Sequence, residues 1–177
     1  SENGHADVVR LLLSKSDIDI NKAENDGETA LFIASQQRHV EIVQLLLSNS
    51  DIDINTAMKS GWTVLYWASQ EGHVEVVRLL LSKSDIDINK VTKSGGTALW
   101  IASQNNHVEM VELLLSKRDI DINKPMKDGT TALMIASEEG HVKVVRLLLS
   151  RSDIDINKAM DTGATALHVA SQNNRVE

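Results

Sequence analysis

The 177-residue chain has no cysteine. That excludes disulfides, thiolate metal sites and a thiol nucleophile, and leaves the redox compartment open. Aromatic residues are scarce, at 3%, so the places where they stand carry information. Basic side chains are outnumbered 18 to 25, for a formal net charge of −7. A nucleic-acid reader, which needs a basic footprint for phosphates, is disfavoured. No apolar run approaches the roughly 18–20 residues of a membrane span. The 177 residues hold no signal or membrane segment, which favours a cytoplasmic setting. What the chain does have is 42% hydrophobic and 24% charged residues, enough apolar content for a core and too much for disorder.

Its organising feature is self-similarity. Gly27, Gly61, Gly95, Gly129 and Gly163 stand 34 residues apart, and so do Asp17, Asp51, Asp85, Asp119 and Asp153. Each unit reads approximately G-x-T-A-L-x-I-A-S-Q-x-x-H-V-E-V-V-x-L-L-L-S-x-S-D-I-D-I-N-K. A single repeat domain spans 1–177, with full units at 24–57, 58–91, 92–125 and 126–159 and partial units at 1–23 and 160–177. Ser1 to His5 read as the close of one helix and the turn after it, and Val176-Glu177 as the start of another. Both ends thus fall inside a unit and neither shows a polar capping face, so a piece of a longer array is expected.

In the unit around Gly61, Lys59-Ser60-Gly61 makes a turn whose glycine takes positive φ at little cost. The Thr63 hydroxyl caps a first helix over about Val64 to Glu71. Ala68 and Ser69 are small and allow close neighbours. Gly72 ends the helix. Asn106, Gly140 and Asn174 hold that slot elsewhere and tolerate a left-handed backbone, whereas Arg38 is expected to be strained. A second helix over about His73 to Ser82 is apolar around most of its circumference, with Glu75, Arg78 and Ser82 as one polar stripe. A short helix of this kind needs cover on two sides, as between stacked neighbours. Asp85-Ile86-Asp87-Ile88-Asn89 alternates strictly and predicts an extended return with both isoleucines on one face. One unit buries only a handful of aliphatic side chains at about 1.5–3 kcal/mol each, so several units must stack to be stable.

Together these features resemble the ankyrin repeat. The matching residues are Gly61-x-Thr63-x-Leu65-x-x-Ala68, Gly72-His73-Val74-Glu75-Val76-Val77, Leu79-Leu80-Leu81 and Asp87-Ile88-Asn89. The resemblance recurs along essentially the whole chain. It implies an all-α solenoid of helix-turn-helix pairs, monomeric, that binds a protein or peptide partner along a concave groove. Two departures stand out. The family's Thr-Pro-Leu-His becomes Thr29-Ala30-Leu31-Phe32, and only Thr165-Ala166-Leu167-His168 keeps the histidine. A proline lost from the first helical turn costs preorganisation but no hydrogen bond. Each unit also has 34 residues where 33 is common. The extra one falls in Ser82-Lys83-Ser84-Asp85, where a longer turn held by Ser or Asp side chains is expected.

The polar motifs do not form a reaction centre. His5, His39, His73, His107 and His141 share one slot. Stacked helices lie about 8–10 Å apart, too far for successive histidines to share a zinc ion at about 2.0–2.1 Å per bond. A polar contact at the start of the second helix is expected, and no metal. Asp17, Asp19, Asn21, Asn25 and Glu28 fall on calcium-loop positions, but Lys22 stands where that loop needs glycine. Its twelfth position is Trp62, Gly96, Thr130 or Ala164 in the other units. Ser35, Ser69, Ser103, Ser137 and Ser171 occupy a structural slot, and Glu138-Glu139 diverge on a helix. With no phosphate loop, neither catalysis nor a cofactor is expected. Leu13-x5-Asp19-Ile20-Asn21 resembles the substrate pattern of the asparaginyl hydroxylase that acts on ankyrin repeats, and it recurs at Asn55, Asn89, Asn123 and Asn157. The alternative is that these asparagines hydrogen-bond the turn.

Differences between units mark the surface. They fall at the tips (Asn25-Asp26, Lys59-Ser60, Lys93-Ser94, Lys127-Asp128, Asp161-Thr162) and at the residue after the glycine. They also fall at the end of the first helix (Gln36-Gln37, Gln70-Glu71, Gln104-Asn105, Glu138-Glu139, Gln172-Asn173). The resemblance implies that these positions form the partner-binding surface. All the aromatics, Phe32, Trp62, Tyr66, Trp67 and Trp100, lie between a turn and the middle of a first helix. Phe32, Tyr66 and Trp100 share a slot and predict a ladder at about 8–10 Å, open to either packing or recognition. Trp67 sits in an otherwise aliphatic slot and is expected to pack. Trp62 sits in an otherwise polar or small slot and is expected to meet a partner, with little weight in stability. Lys59, Lys93 and Lys127 form a basic row that either complements an acidic partner or is simply solvated. The expected binding residues are Phe32, Lys59, Trp62, Tyr66, Gln70, Glu71, Lys93, Trp100, Gln104 and Lys127. The rival functions are an architectural spacer in a larger multidomain protein and a substrate of the asparaginyl hydroxylase.

Overall fold

The computed structural model describes residues 2–172. Among them are α1 (Glu2–Leu13), α2 (Ala30–Gln36), α3 (Val40–Leu47), α4 (Val64–Gln70), α5 (Val74–Leu81), α6 (Ala98–Gln104), α7 (Val108–Leu115), α8 (Ala132–Glu138), α9 (Val142–Leu149) and α10 (Ala166–Gln172). The first helices α2, α4, α6, α8 and α10 pack on one another in order, and so do the second helices α1, α3, α5, α7 and α9. The result is a two-layer all-α stack. Its main core lies between the layers, around Leu80, Leu114 and Leu148, which are fully buried.

Local chemistry sets the boundaries. Thr29, Thr63, Thr97 and Thr131 accept, through their hydroxyls, the N–H of the residue three further on, at 3.1–3.3 Å. Each cap thereby satisfies a donor the helix start leaves open. The break between paired helices takes positive φ at Gly72 (68°), Gly140 (70°), Asn106 (57°) and Arg38 (58°). Asn174 lies outside the described residues. The break lets His73 N–H bond back to Ala68 O at 2.9 Å. An arginine held there carries strain of about 1–2 kcal/mol, and glycine's extra unfolded freedom offsets part of the relief. Arg38→Gly is therefore expected to raise stability by about 0.5–1 kcal/mol, measured by urea unfolding.

The tips are the second joint. Gly27, Gly61, Gly95, Gly129 and Gly163 have φ between 83° and 95°. The tips stack through backbone bonds: Lys59 N to Asp26 O at 2.9 Å, Lys93 N to Ser60 O at 3.2 Å, Lys127 N to Ser94 O at 3.0 Å and Asp161 N to Asp128 O at 3.2 Å.

Three local expectations change. The paired helices are a residue or so shorter than their apolar pattern, because Glu71, His73 and Ser82 serve as caps. Glu2–His5 do not form a turn: they are the first residues of α1, and Ser1 lies outside the described residues. The Asp-Ile-Asp-Ile-Asn return is not an extended strand. No strand occurs among the described residues, only isolated bridges pairing Ala23 with Thr29 and Ala57 with Thr63. The reason is the aspartate: Asp87 Oδ1 accepts the Asn89 N–H at 3.1 Å, and this local bond replaces a ladder partner. Both isoleucines still turn inward, Ile88 buried and Ile86 half-buried against the core. The longer turn is held as expected. Ser14, Ser48, Ser82, Ser116 and Ser150 each donate to a carbonyl three residues back at 2.6–2.7 Å.

Candidate functional site

The variable positions gather along two rows. One is the line of tips, where Lys59, Ser60, Lys93, Ser94, Lys127 and Asp128 are all exposed. The other is the ends of the first helices, where Glu71, Asn105 and Glu139 are exposed and Gln70, Gln104 and Glu138 half-buried. Between the rows sits a satellite apolar cluster separate from the main core. It joins tip residues Trp62 and Met126 to Tyr66, Trp100, Ile101 and Ile135 on first helices.

The ladder slot packs inward. Phe32, Tyr66 and Trp100 are only 3%, 7% and 9% exposed. Ring contacts run between slots instead of along one: Phe32 to Trp67 at 5.8 Å, Trp62 to Tyr66 at 5.5 Å and Trp62 to Trp67 at 5.4 Å between centroids. Trp62 is half-buried, and its backbone N–H donates to Ser60 Oγ at 3.3 Å. It therefore has weight in packing, which its polar slot in the sequence did not suggest. The indole N–H groups of Trp67 and Trp100 are buried without a hydrogen-bond partner among the described residues. Burial also pushes the Tyr66 phenol up. A Cβ on Gly96 would come within 3.3 Å of the Tyr66 ring, so the smallest residue of that variable slot makes room for the tyrosine.

Charge divides the rows. Among the described residues, Lys59, Lys93 and Lys127 make no ion pair and no side-chain hydrogen bond. Asp128, the exposed acid beside Lys127, bonds its own turn. Its Oδ1 accepts the Thr130 N–H at 2.9 Å, and that bond holds its carboxyl below the usual range. On the helix-end row, Gln70 Nε2 donates to Glu71 Oε1 at 3.1 Å.

Histidines and asparagines turn out to be joints between units. His107 Nε2 meets Gln70 O at 2.8 Å, His141 Nε2 meets Gln104 O at 2.9 Å and His73 Nδ1 meets Ser35 O at 3.2 Å. Burial lowers the His73 pKa, partly opposed by the Ser35 bond. Among the described residues no group of three or more His, Cys, Asp or Glu could hold a metal ion. Asn21, Asn55, Asn89 and Asn123 each donate through Nδ2 to the carbonyl of an Asp in the next unit, at 2.6–2.7 Å. Each Oδ1 accepts the N–H of the Asp two residues later, at 2.7–2.8 Å. Asn157 takes part in its own turn, its N–H bonding Asp155 Oδ1 at 3.1 Å. Sequence reasoning found these residues but not their reach. The clue was that each recurs at the same phase of every unit, as a contact between successive units would require.

A scan against family profiles matches ankyrin repeats (3 copies) at residues 1–58, 50–126, 84–160 and 120–177. A crystal structure of an ankyrin repeat protein aligns with this one at a TM-score of 0.88 and 27% sequence identity, covering 96% of this chain and 87% of that one. No curated protein matches the chain.

Proposed function

Because this chain belongs to the ankyrin repeat family, we propose that it is a non-catalytic scaffold that holds a partner protein or peptide between its line of tips and the ends of its first helices. Ankyrin repeats are in general protein–protein interaction modules. One observation carries the finer reading. The units agree at a buried core leucine, Leu31, Leu65, Leu99 and Leu133, and differ at two exposed slots, Asn25, Lys59 and Asp161 at the tips and Gln37, Glu71, Asn105 and Glu139 at the helix ends. An architectural spacer would have no need to vary exposed tips and helix ends above a constant leucine core. Trp62 is the anchor this reading favours, because aromatic side chains dominate binding hot spots and part of its ring stays open.

The test is capture of partners on the immobilised chain, followed by titration of a retained one. Trp62→Ala is expected to weaken binding at least about tenfold, about 1.4 kcal/mol. It also removes packing on Tyr66 and Trp67, so it lowers stability by about 1 kcal/mol. Glu71→Lys separates the two effects: the residue is exposed, so binding changes while the melting temperature holds. Retention that neither variant alters would leave the spacer reading in its place.

A further inference from the structure

Resting on that reading, we propose that the partner segment is acidic, adopts a polyproline II conformation and sets a carboxylate at every third residue against Lys59, Lys93 and Lys127. The charge follows from the row itself. Three exposed ammonium groups stand on consecutive tips without a partner among the described residues. The one acid among them, Asp128, has its Oδ1 bonded to the Thr130 N–H of its own turn. The length of the row is limited as well. The tips on either side carry Asp26 and Asp161, both exposed, so an anionic segment gains at three tips and is repelled beyond them.

The spacing selects the conformation. From the Lys59 N–H to the Lys93 N–H the path is two residues, Lys59 and Ser60, and one 3.2 Å hydrogen bond. Two extended residues span at most about 7 Å, so the step between lysines is about 10 Å or less. The next step, through Lys93, Ser94 and a 3.0 Å bond, is the same. Stacked helices independently give about 8–10 Å. A β-strand brings side chains back to one face every two residues, about 6.6 Å, or every four, about 13 Å. An α-helix does so at about 5.4 Å per turn, or about 10.5 Å over seven residues, at the very edge of the step. Polyproline II has three residues per turn at about 3.1 Å each, which returns the same face every 9.3 Å or so. That period fits the lysine row. Trp62 belongs to the same tip as Lys59, tied by Met58 N–H to its carbonyl at 2.9 Å. Its partly open ring is the kind of aromatic surface on which such a helix rests.

The test uses labelled synthetic peptides and the intact chain, read by fluorescence anisotropy. A peptide of three Glu-Pro-Pro triplets is expected to bind at least about tenfold more tightly than a permuted one with its three glutamates adjacent and six prolines after them. Lys93→Glu, at the centre of the row, is expected to weaken the triplet peptide by a further tenfold or more, and salt of about 0.5 M to abolish binding. Circular dichroism establishes that the variant is folded, and Lys93→Gln should fall between it and the parent chain. Equal affinity for the permuted peptide would reduce the row to undirected charge and overturn the proposal. So would indifference to Lys93→Glu, or tighter binding of a helical peptide with glutamates seven apart. If no acidic peptide binds, the proposal fails, while the scaffold reading still stands or falls on the Trp62 and Glu71 variants.

Discussion

Gly61→Ala should destabilise the stack by about 3 kcal/mol or more, while Gly163→Ala, the same change at the same phase, should cost roughly 1–2 kcal/mol. Both glycines have positive φ, 86° and 83°, so each alanine pays the left-handed penalty. Only Gly61 faces a neighbouring tip. A Cβ there would stand 2.7 Å from Lys93 N and 3.1 Å from the Thr92 backbone, whereas at Gly163 nothing lies within 4 Å. Backbone cannot yield as the end of a flexible side chain can. Relieving the contact means pulling the tips apart, which sacrifices the Lys93–Ser60 bond and the packing beneath it. The difference between the two variants, read by urea unfolding, isolates the stacking contribution from the conformational one. Equal losses would mean that the tips do not meet as described.

Leu114→Ala is expected to cost about 3–5 kcal/mol, in the upper part of the range for a fully buried leucine. Its side chain is 0% exposed in α7, which packs on α5 and α9, so the vacated volume is walled on both sides. Leu12 holds the same phase in α1 but is 51% exposed. Leu12→Ala should cost under about 1 kcal/mol. Denaturation curves of the pair test whether stability resides in contacts between units, as the two-layer stack requires. A Leu12 variant as damaged as the Leu114 variant would place it within the units instead.

The sequence made the rules inside a unit visible because they are local. A threonine before an apolar run, a glycine at a turn and a glycine or asparagine at a break each carry their own backbone preference. Even the strained Arg38 could be named in advance. The return was misread because alternation of Asp and Ile satisfies a strand pattern equally well, and nothing in that pattern shows that Asp87 will bond its own backbone. The aromatic residues were harder still. Whether Phe32, Tyr66 and Trp100 face a partner or the protein depends on how closely the first helices approach. That distance is fixed by small residues such as Ala68 and Ser69, whose effect appears only once units are placed side by side. The same holds for the reach of Asn89 and His107 into neighbouring units.

Each junction between the four full units is fastened at three separated points: a tip bond, a histidine on a helix-end carbonyl, and an asparagine gripping the next return loop. Fastenings spread across the width of a joint resist hinging and shear more than they resist a straight pull. The array should therefore behave mechanically as a leaf spring. It would flex a little everywhere along its length, with no single pivot, and a load applied at one end would be shared by every joint before any one of them parts.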